Sequence, residues 1–525
     1  MKNVAVQNRA SSNSFPDILD FLRVHWLAVA AVLVILFLAL FHLSSYPVTW
    51  FDEGSHLHVP KTLVRFGVYA DYSSEGYRYY GPTTGVGPTV FLPIALAFRL
   101  FGIGLFQARF VIVLYLLAAI AFYYLLSRKF GSSALAAVAT GLLITSRGVG
   151  LLEYGRQVLG EVPGFFFMLA GLVLWFSTWT KPDWKRLAGA GLLLGLSLVT
   201  KNQYLIVLGP GLGAAFLANL FYYKSVPQRA FIITGSITLA VYLAWQAYQI
   251  FALGPATAGE NLVLFRQATT ESALIFSSTL MKRAVSELLS LKVYFGLLIP
   301  ALAYGLVLSL PRKREGLQWG VLFLLTTANL AWYILASISW IRYAFPALAF
   351  SALFVAKLFF DLTGGLRLDL GRMWASVRGG SGLSAVDAGK GVLVVWLAAL
   401  LVVPFAQNLK DIVLPPDNAP AEMAAYMNQH VDLKAVVETW EPEMGFLSDH
   451  NYHFPPPGLL YTANSFIWLG KVSPATKYDY VQKNLPDYVL TGAFSNWVQL
   501  YPADFLASHY REETAIGGYV LFAKK

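Results

Sequence analysis

Asp52 and Glu53 stand side by side in the stretch Trp50-Phe51-Asp52-Glu53-Gly54-Ser55-His56-Leu57-His58, just after the first long apolar run, residues 26–45. A carboxylate at the edge of a bilayer can take the proton of a hydroxyl that is about to attack. Adjacent residues point in different directions. One carboxylate therefore faces a site while the other caps or orients, and Asp52 is the candidate base. An Asp-Glu pair at a helix start is also an ordinary N-cap. His56 follows Asp52 by about one turn, so Asp52, Glu53 and His56 form a candidate set of divalent-metal ligands. His58 reads as an interfacial polar residue.

Three further constellations combine charge with the ends of apolar runs. Glu161 heads an apolar helix with Pro163 in its first turn, where the helix dipole favours an acid, and Arg156 lies just before it. Arg156 calls for an anion, either Glu153 or a lipid phosphate. Thr200-Lys201-Asn202-Gln203 falls between two apolar runs, on the side where the positive-inside bias disfavours lysine. Phosphate binding and snorkelling to headgroups are the two readings. Trp340-Ile341-Arg342-Tyr343-Ala344-Phe345-Pro346 again sets an arginine at a helix start, with the same two readings. Together these sites pair acids with isolated cations, a pattern that suits an anionic lipid.

The elements that must position these residues are membrane helices. The chain has 525 residues, is 57% hydrophobic and is only 13% charged, against about 25% in soluble proteins. Its net charge of +10 does not imply nucleic acid, because the basic residues collect in short loops between apolar runs. It has no cysteine, which excludes disulfides and thiolate-ligated metals. Spans are expected near 26–45, 108–126, 133–150, 161–179, 186–200, 203–222, 230–251, 291–310, 317–337, 343–361 and 391–407, eleven in all. The N-terminal run reads as a retained helix. The basic loops place the N-terminus in the cytoplasm and residues 409–525 outside, in a multi-pass protein of the plasma or inner membrane. Residues 1–408 then form the membrane domain, with 46–107 as its first outer loop and 88–104 as a surface helix. A second long outer loop, 252–290, has an amphipathic, lid-like pattern. Residues 409–525 read as a small α/β domain, with strands at 435–439, 488–491 and 519–523 and a helix at 419–429.

On these motifs the sequence resembles the GT-C glycosyltransferases that use polyprenyl-phosphate sugars. Within that group it looks most like the protein O-mannosyltransferases and the lipid A aminoarabinose transferases. The resemblance covers residues 26–360 and, more loosely, the C-terminal domain. The family's essential Asp of the first outer loop matches Asp52 of Asp52-Glu53. The interfacial helix matches Gly87-Pro88 through Leu100-Phe101-Gly102, followed by Arg109. The second acid matches Glu161, where relatives often carry Asp. Thr200-Lys201 and Arg342-Tyr343 with Pro346 complete the set. One departure is Gly87, where the aminoarabinose enzymes commonly carry Lys. The segments 437–447 and 452–456, rich in Trp, Glu, His and Pro, read first as a packed strand-turn unit and alternatively as the lining of an acceptor entrance.

The resemblance implies an inverting membrane hexosyltransferase, mannosyltransferase-like, that moves a sugar from a polyprenyl-phosphate donor to a hydroxyl of a protein, lipid or glycan. Asp52, Glu53 and Glu161 are the catalytic candidates. Arg156, Lys201, Arg342 and Tyr343 are the substrate-binding candidates, and His56 is the metal candidate. No further cofactor is expected beyond a possible divalent ion, and the sequence holds no P-loop or dinucleotide fingerprint. The competing classes are a lipid or solute transporter, expected to carry acids at mid-membrane and matched repeats, and a non-catalytic subunit of surface-polysaccharide assembly.

Overall fold

The computed structural model describes residues 18–79, 85–366 and 384–525. Most of the chain is helical. Among the described residues, six helices are long and apolar enough to cross a membrane: Leu105–Arg128, Gln203–Tyr223, Arg229–Glu271, Arg314–Ala336, Ile341–Leu362 and Ala385–Val413. Six shorter apolar helices of 10–17 residues accompany them, including His25–Leu40, Ser133–Thr145, Glu161–Ser177 and Leu298–Ser309.

The bundle is apolar on both sides. Inside, Trp175, Trp179 and Trp319 are fully buried among Leu, Phe and Ala side chains. The buried Tyr123 and Tyr294 hydroxyls donate to the carbonyls of Ala349 (2.9 Å) and Leu348 (2.6 Å), so neither polar tip is left unpaired. Outside, Phe251 is 86% exposed, and Leu306, Val392 and Val395 also face outward. So much outward apolar surface suits a lipid surround and would aggregate in water. Helix starts are set by short polar caps. Ser132 accepts from Leu135 N (3.2 Å), Asp183 from Lys185 N (3.2 Å) and Ser384 from Asp387 N (3.1 Å).

The 252–290 region differs from expectation. The helix that begins at Arg229 does not stop near 251. It runs on to Ala268 across a kink at Gly254, whose φ of 77° only glycine adopts readily, and Pro255 follows. A π turn, Thr269–Ala273, and the helix Ser278–Leu288 complete the segment. That last helix is amphipathic as expected, burying Leu280, Ala284 and Leu288.

Two sheets lie outside the bundle. Strands β1 (Asp71–Ser73) and β2 (Gly76–Arg78) form a hairpin. The C-terminal sheet contains β3 (Val436–Thr439), β4 (Asn451–His453), β5 (Tyr488–Thr491), β6 (Tyr510–Ile516) and β7 (Tyr519–Lys524) in the order β4-β3-β5-β7-β6. Strand β3 pairs parallel with β4 (Val437 opposite Tyr452) and with β5 (Val437 opposite Tyr488). β7 runs antiparallel to β5 and β6. The helix Ala419–His430 packs Met423 and Met427 against Val437, Tyr452 and Leu521.

Candidate active site

The helix Phe51–Phe66 carries the acidic pair in its first turn. Its two carboxylates part company, as neighbours on a helix must. Glu53 turns inward and is 0% exposed. Arg109 clamps it with two bonds, Nε to Oε1 (2.8 Å) and Nη2 to Oε2 (2.5 Å), and Val158 N donates to Oε1 (3.0 Å). Arg109 also donates to Leu43 O (2.8 Å). Glu53 therefore ties the end of the first helix to the next ones. It does not reach the cavity, and the catalytic role expected of it is withdrawn.

Asp52 faces the other way, with its side chain 25% exposed. Arg342 Nη2 donates to Asp52 Oδ2. The same guanidinium lies in ion-pair range of Glu161, with Nε 3.2 Å from Oε1, and Lys201 Nζ donates a hydrogen bond to that oxygen. Asp52, Arg342, Glu161 and Lys201 thus form one chain of alternating charge drawn from four distant stretches of sequence. Arg342 is held from both sides. Its plane lies against the rings of Trp340 (4.2 Å) and Trp50 (5.3 Å). The Tyr343 carbonyl behind it accepts from Gln203 Nε2 (2.7 Å) and Asn329 Nδ2 (3.0 Å). Arg342 Nη1 and Glu161 Oε2 are buried with no hydrogen-bond partner among the described residues. A buried guanidinium nitrogen without an acceptor is open to an anion.

Lys201 reaches this array because its strand-like turn is pinned. Gly87 N donates to Thr200 O (3.0 Å), Val86 bridges to Lys201, and Thr89 and Thr200 share a hydroxyl bond of 2.7 Å. A Cβ at Gly87 would overlap the Val199 carbonyl. That explains the glycine at a position where the aminoarabinose enzymes commonly carry lysine: this close approach leaves no room for a side chain.

Asp52, His56, Lys201, Arg342 and Tyr343 line a cavity of about 720 Å³ between the bundle and the C-terminal domain. A second, almost wholly apolar groove of about 550 Å³ runs between Pro88, Pro93, Val199 and Trp245. Three expectations do not survive the geometry. Arg156 is fully buried away from the cavity, donating to the carbonyls of Leu38, Phe41 (2.6 Å) and Tyr46 (3.0 Å), so it fastens the end of the first helix and does not reach a substrate. His56 lines the cavity, but its Nδ1 meets the Val158 carbonyl at 2.7 Å, and burial pushes its pKa down. With Glu53 held by Arg109, the set Asp52, Glu53 and His56 is not assembled, and no group of three metal-ligating side chains is found among the described residues. His58 is not interfacial: it is buried between Asp71 Oδ1 and the Pro442 carbonyl (2.7 Å).

The C-terminal domain also reaches the cavity wall. Trp440, Glu441, Glu443 and Pro455 line the cavity. Glu441 accepts from Ser495 N (2.8 Å) and Phe494 N (3.2 Å), and Glu443 from the Tyr519 hydroxyl (2.5 Å). Burial raises both carboxyls above the ordinary range, and the charge of Glu441 raises Glu443 further. Gly54 lets this domain approach Asp52, since a Cβ there would overlap the backbone of Glu443.

The whole architecture has counterparts among solved structures. ArnT from Cupriavidus metallidurans bound to undecaprenyl phosphate superposes with a TM-score of 0.62 over 96% of this chain and 98% of that one, at 15% identity. The chain shares the fold of that protein. AglB, the archaeal oligosaccharyltransferase from Archaeoglobus fulgidus, solved with an inhibitory peptide and a dolichol-phosphate, matches with a TM-score of 0.54 over 96% of this chain and 75% of that one, at 14% identity. Residues 85–248 of this chain match the family described as dolichyl-phosphate-mannose-protein mannosyltransferase. That segment includes Glu161 and Lys201, whereas Asp52 and Arg342 lie outside it. A dolichyl-phosphooligosaccharide-protein glycotransferase of Pyrococcus furiosus is 24% identical over 257 residues, 47% of this chain. The chain spans 29% of that curated relative's length.

Proposed function

We propose that the chain is an inverting membrane glycosyltransferase that takes its sugar from a polyprenyl-phosphate donor. The observation that carries the proposal is the array Asp52–Arg342–Glu161–Lys201, whose Asp52, Arg342 and Lys201 line the cavity, with Arg342 Nη1 lacking an acceptor among the described residues. ArnT and AglB were each solved with a polyprenyl-type phosphate, which supports a lipid-linked donor here. The donor phosphate sits against Arg342 and Lys201, and its apolar chain follows the groove beside Pro88 and Trp245. Thr89, in that groove, bonds to Thr200 beside Lys201, so tail and headgroup positions are continuous.

Asp52 takes the proton of an acceptor hydroxyl, whose oxygen attacks the anomeric carbon from the face opposite the phosphate. The bond from that carbon to the phosphate oxygen breaks, and its electron pair leaves with the polyprenyl phosphate. Arg342 and Lys201 meet the charge that develops on the leaving group. Arg342 is shared between Asp52 and the phosphate position, so an arriving phosphate draws the guanidinium from Asp52 and frees the base. Glu161 holds both cations in place. The positive-inside bias of the basic loops supports an N-terminus in the cytoplasm, with the cavity and the C-terminal domain at 409–525 on the outer face.

The test is donor binding and transfer together. Native protein should move labelled sugar from a panel of polyprenyl-phosphate sugars into membrane material. Lys201→Ala and Arg342→Ala should each bind polyprenyl phosphate about 10- to 100-fold more weakly, the worth of one charge-assisted contact. Binding unaffected by both substitutions would remove the phosphate assignment.

A further inference from the structure

We infer that the acceptor is a carbohydrate, held by an aromatic arc and the Glu441–Glu443 carboxyl pair on the outer side of the cavity. The inference rests on the glycosyltransferase reading and names the class of its second substrate.

The arc begins beside Asp52 and leads out. Ring centroids lie 5.7 Å apart from Trp50 to Trp340, 6.3 Å from Trp340 to Trp468 and 6.0 Å from Trp468 to Trp497. Phe494 closes it at 6.5 Å from Trp497. All five rings line the cavity. Trp497, at the outer end, is 54% exposed, a large apolar surface with no burial to explain it. A sugar ring presents a face of C–H groups, polarised by the neighbouring oxygens, to such an electron-rich ring, and its hydroxyls project sideways as donors. Carboxyl oxygens accept from such hydroxyls whether or not the group holds a proton, and two carboxyl groups stand beside the arc. Glu443 is buried, lines the cavity, and has an Oε2 with no donor among the described residues. Stacking rings flanked by acceptors suit a chain of hydroxyl-bearing rings.

A peptide needs the opposite provision. Extended peptides bind by alternating backbone donors and acceptors along a sheet edge. The β4 edge is already covered by the first-loop hairpin, where Ser74 N donates to Tyr452 O (2.7 Å). β6, the other edge, supplies no residue to the cavity.

The experiment uses the full chain in lipid nanodiscs. Linear oligosaccharides of several sugars and Ser/Thr-rich peptides are titrated while tryptophan fluorescence is followed, and undecaprenyl phosphate binding reports that each variant is folded. Oligosaccharides should quench the fluorescence and bind. Trp497→Ala should weaken them about tenfold, the worth of one stacked ring, and Glu443→Gln should weaken them as well. Trp497 is exposed, so its variant remains informative if Glu443→Gln does not fold. Peptides that bind where oligosaccharides do not would overturn the inference. So would oligosaccharide binding indifferent to Trp497→Ala, or undecaprenyl phosphate binding with no glycan binding. Glycan binding without undecaprenyl phosphate binding would instead overturn the donor assignment and leave the acceptor site standing.

Discussion

At the scale of single residues, one position in the chain separates two roles. Asp52 meets Arg342 at the cavity, whereas Glu53 is locked to Arg109 in the protein interior. The same distinction applies to the arginines: Arg342 Nη1 has no hydrogen-bond partner among the described residues, whereas Arg156 bonds to three backbone carbonyls. The buried acids of the C-terminal domain give a pH signature. Burial lifts Glu441 and Glu443 above the usual 4.5, so the folded state holds protons that the unfolded chain has released. The stability they contribute is complete below pH 4.5 and declines as pH rises through their raised values. Thermal unfolding of the C-terminal domain, followed between pH 4.5 and 8, should show stability falling with pH. Glu443→Gln should flatten that slope.

At the scale of elements, the short helix Phe51–Phe66 is the hinge of the site. It presents Asp52 to the cavity, Glu53 to Arg109 and Gly54 to the C-terminal domain. Gly54→Ala places a methyl group in the backbone of Glu443, and overpacking of this kind costs about 1–3 kcal/mol. A lowered melting temperature with reduced transfer is expected. Ordinary stability and activity would show that the domain docks less closely than described. Legibility from sequence divides along the same elements. Asp52, Glu161, Lys201 and Arg342 stand out because charge at the end of an apolar run is anomalous. Glu53 and Arg156 stand out for the same reason and misled, because their partners, Arg109 and the carbonyls near residue 41, are set by packing across distant helices. Glu441 and Glu443 lie in a polar segment with no hydropathy contrast to mark them. Strand β4 is only three residues long, and β6 begins Tyr510-Arg511-Glu512-Glu513, so neither shows an apolar alternation. The helix through Gly254-Pro255 reads as a stop, yet the chain absorbs the break as a kink.

At the scale of the whole molecule, transfer from a lipid-linked donor requires the cavity and the C-terminal domain to share one face of the membrane and the basic loops the other. The chain has no cysteine, so single cysteines report this cleanly. Cysteine placed at the exposed Ser508 should react with a membrane-impermeant maleimide added to intact cells. Cysteine at the exposed Lys313 should react only after the membrane is opened. The reverse pattern would invert the assigned topology. In the proposed mechanism, four residues gathered from across the bundle form one transferase centre with Asp52 as its base. The most direct measurement is sugar transfer from labelled polyprenyl-phosphate donor by Asp52→Asn, set against native protein with donor bound equally by both. A loss of ~10²–10⁴-fold in rate is expected, the range for removal of a general base. Transfer by folded, donor-bound Asp52→Asn at the native rate would contradict it.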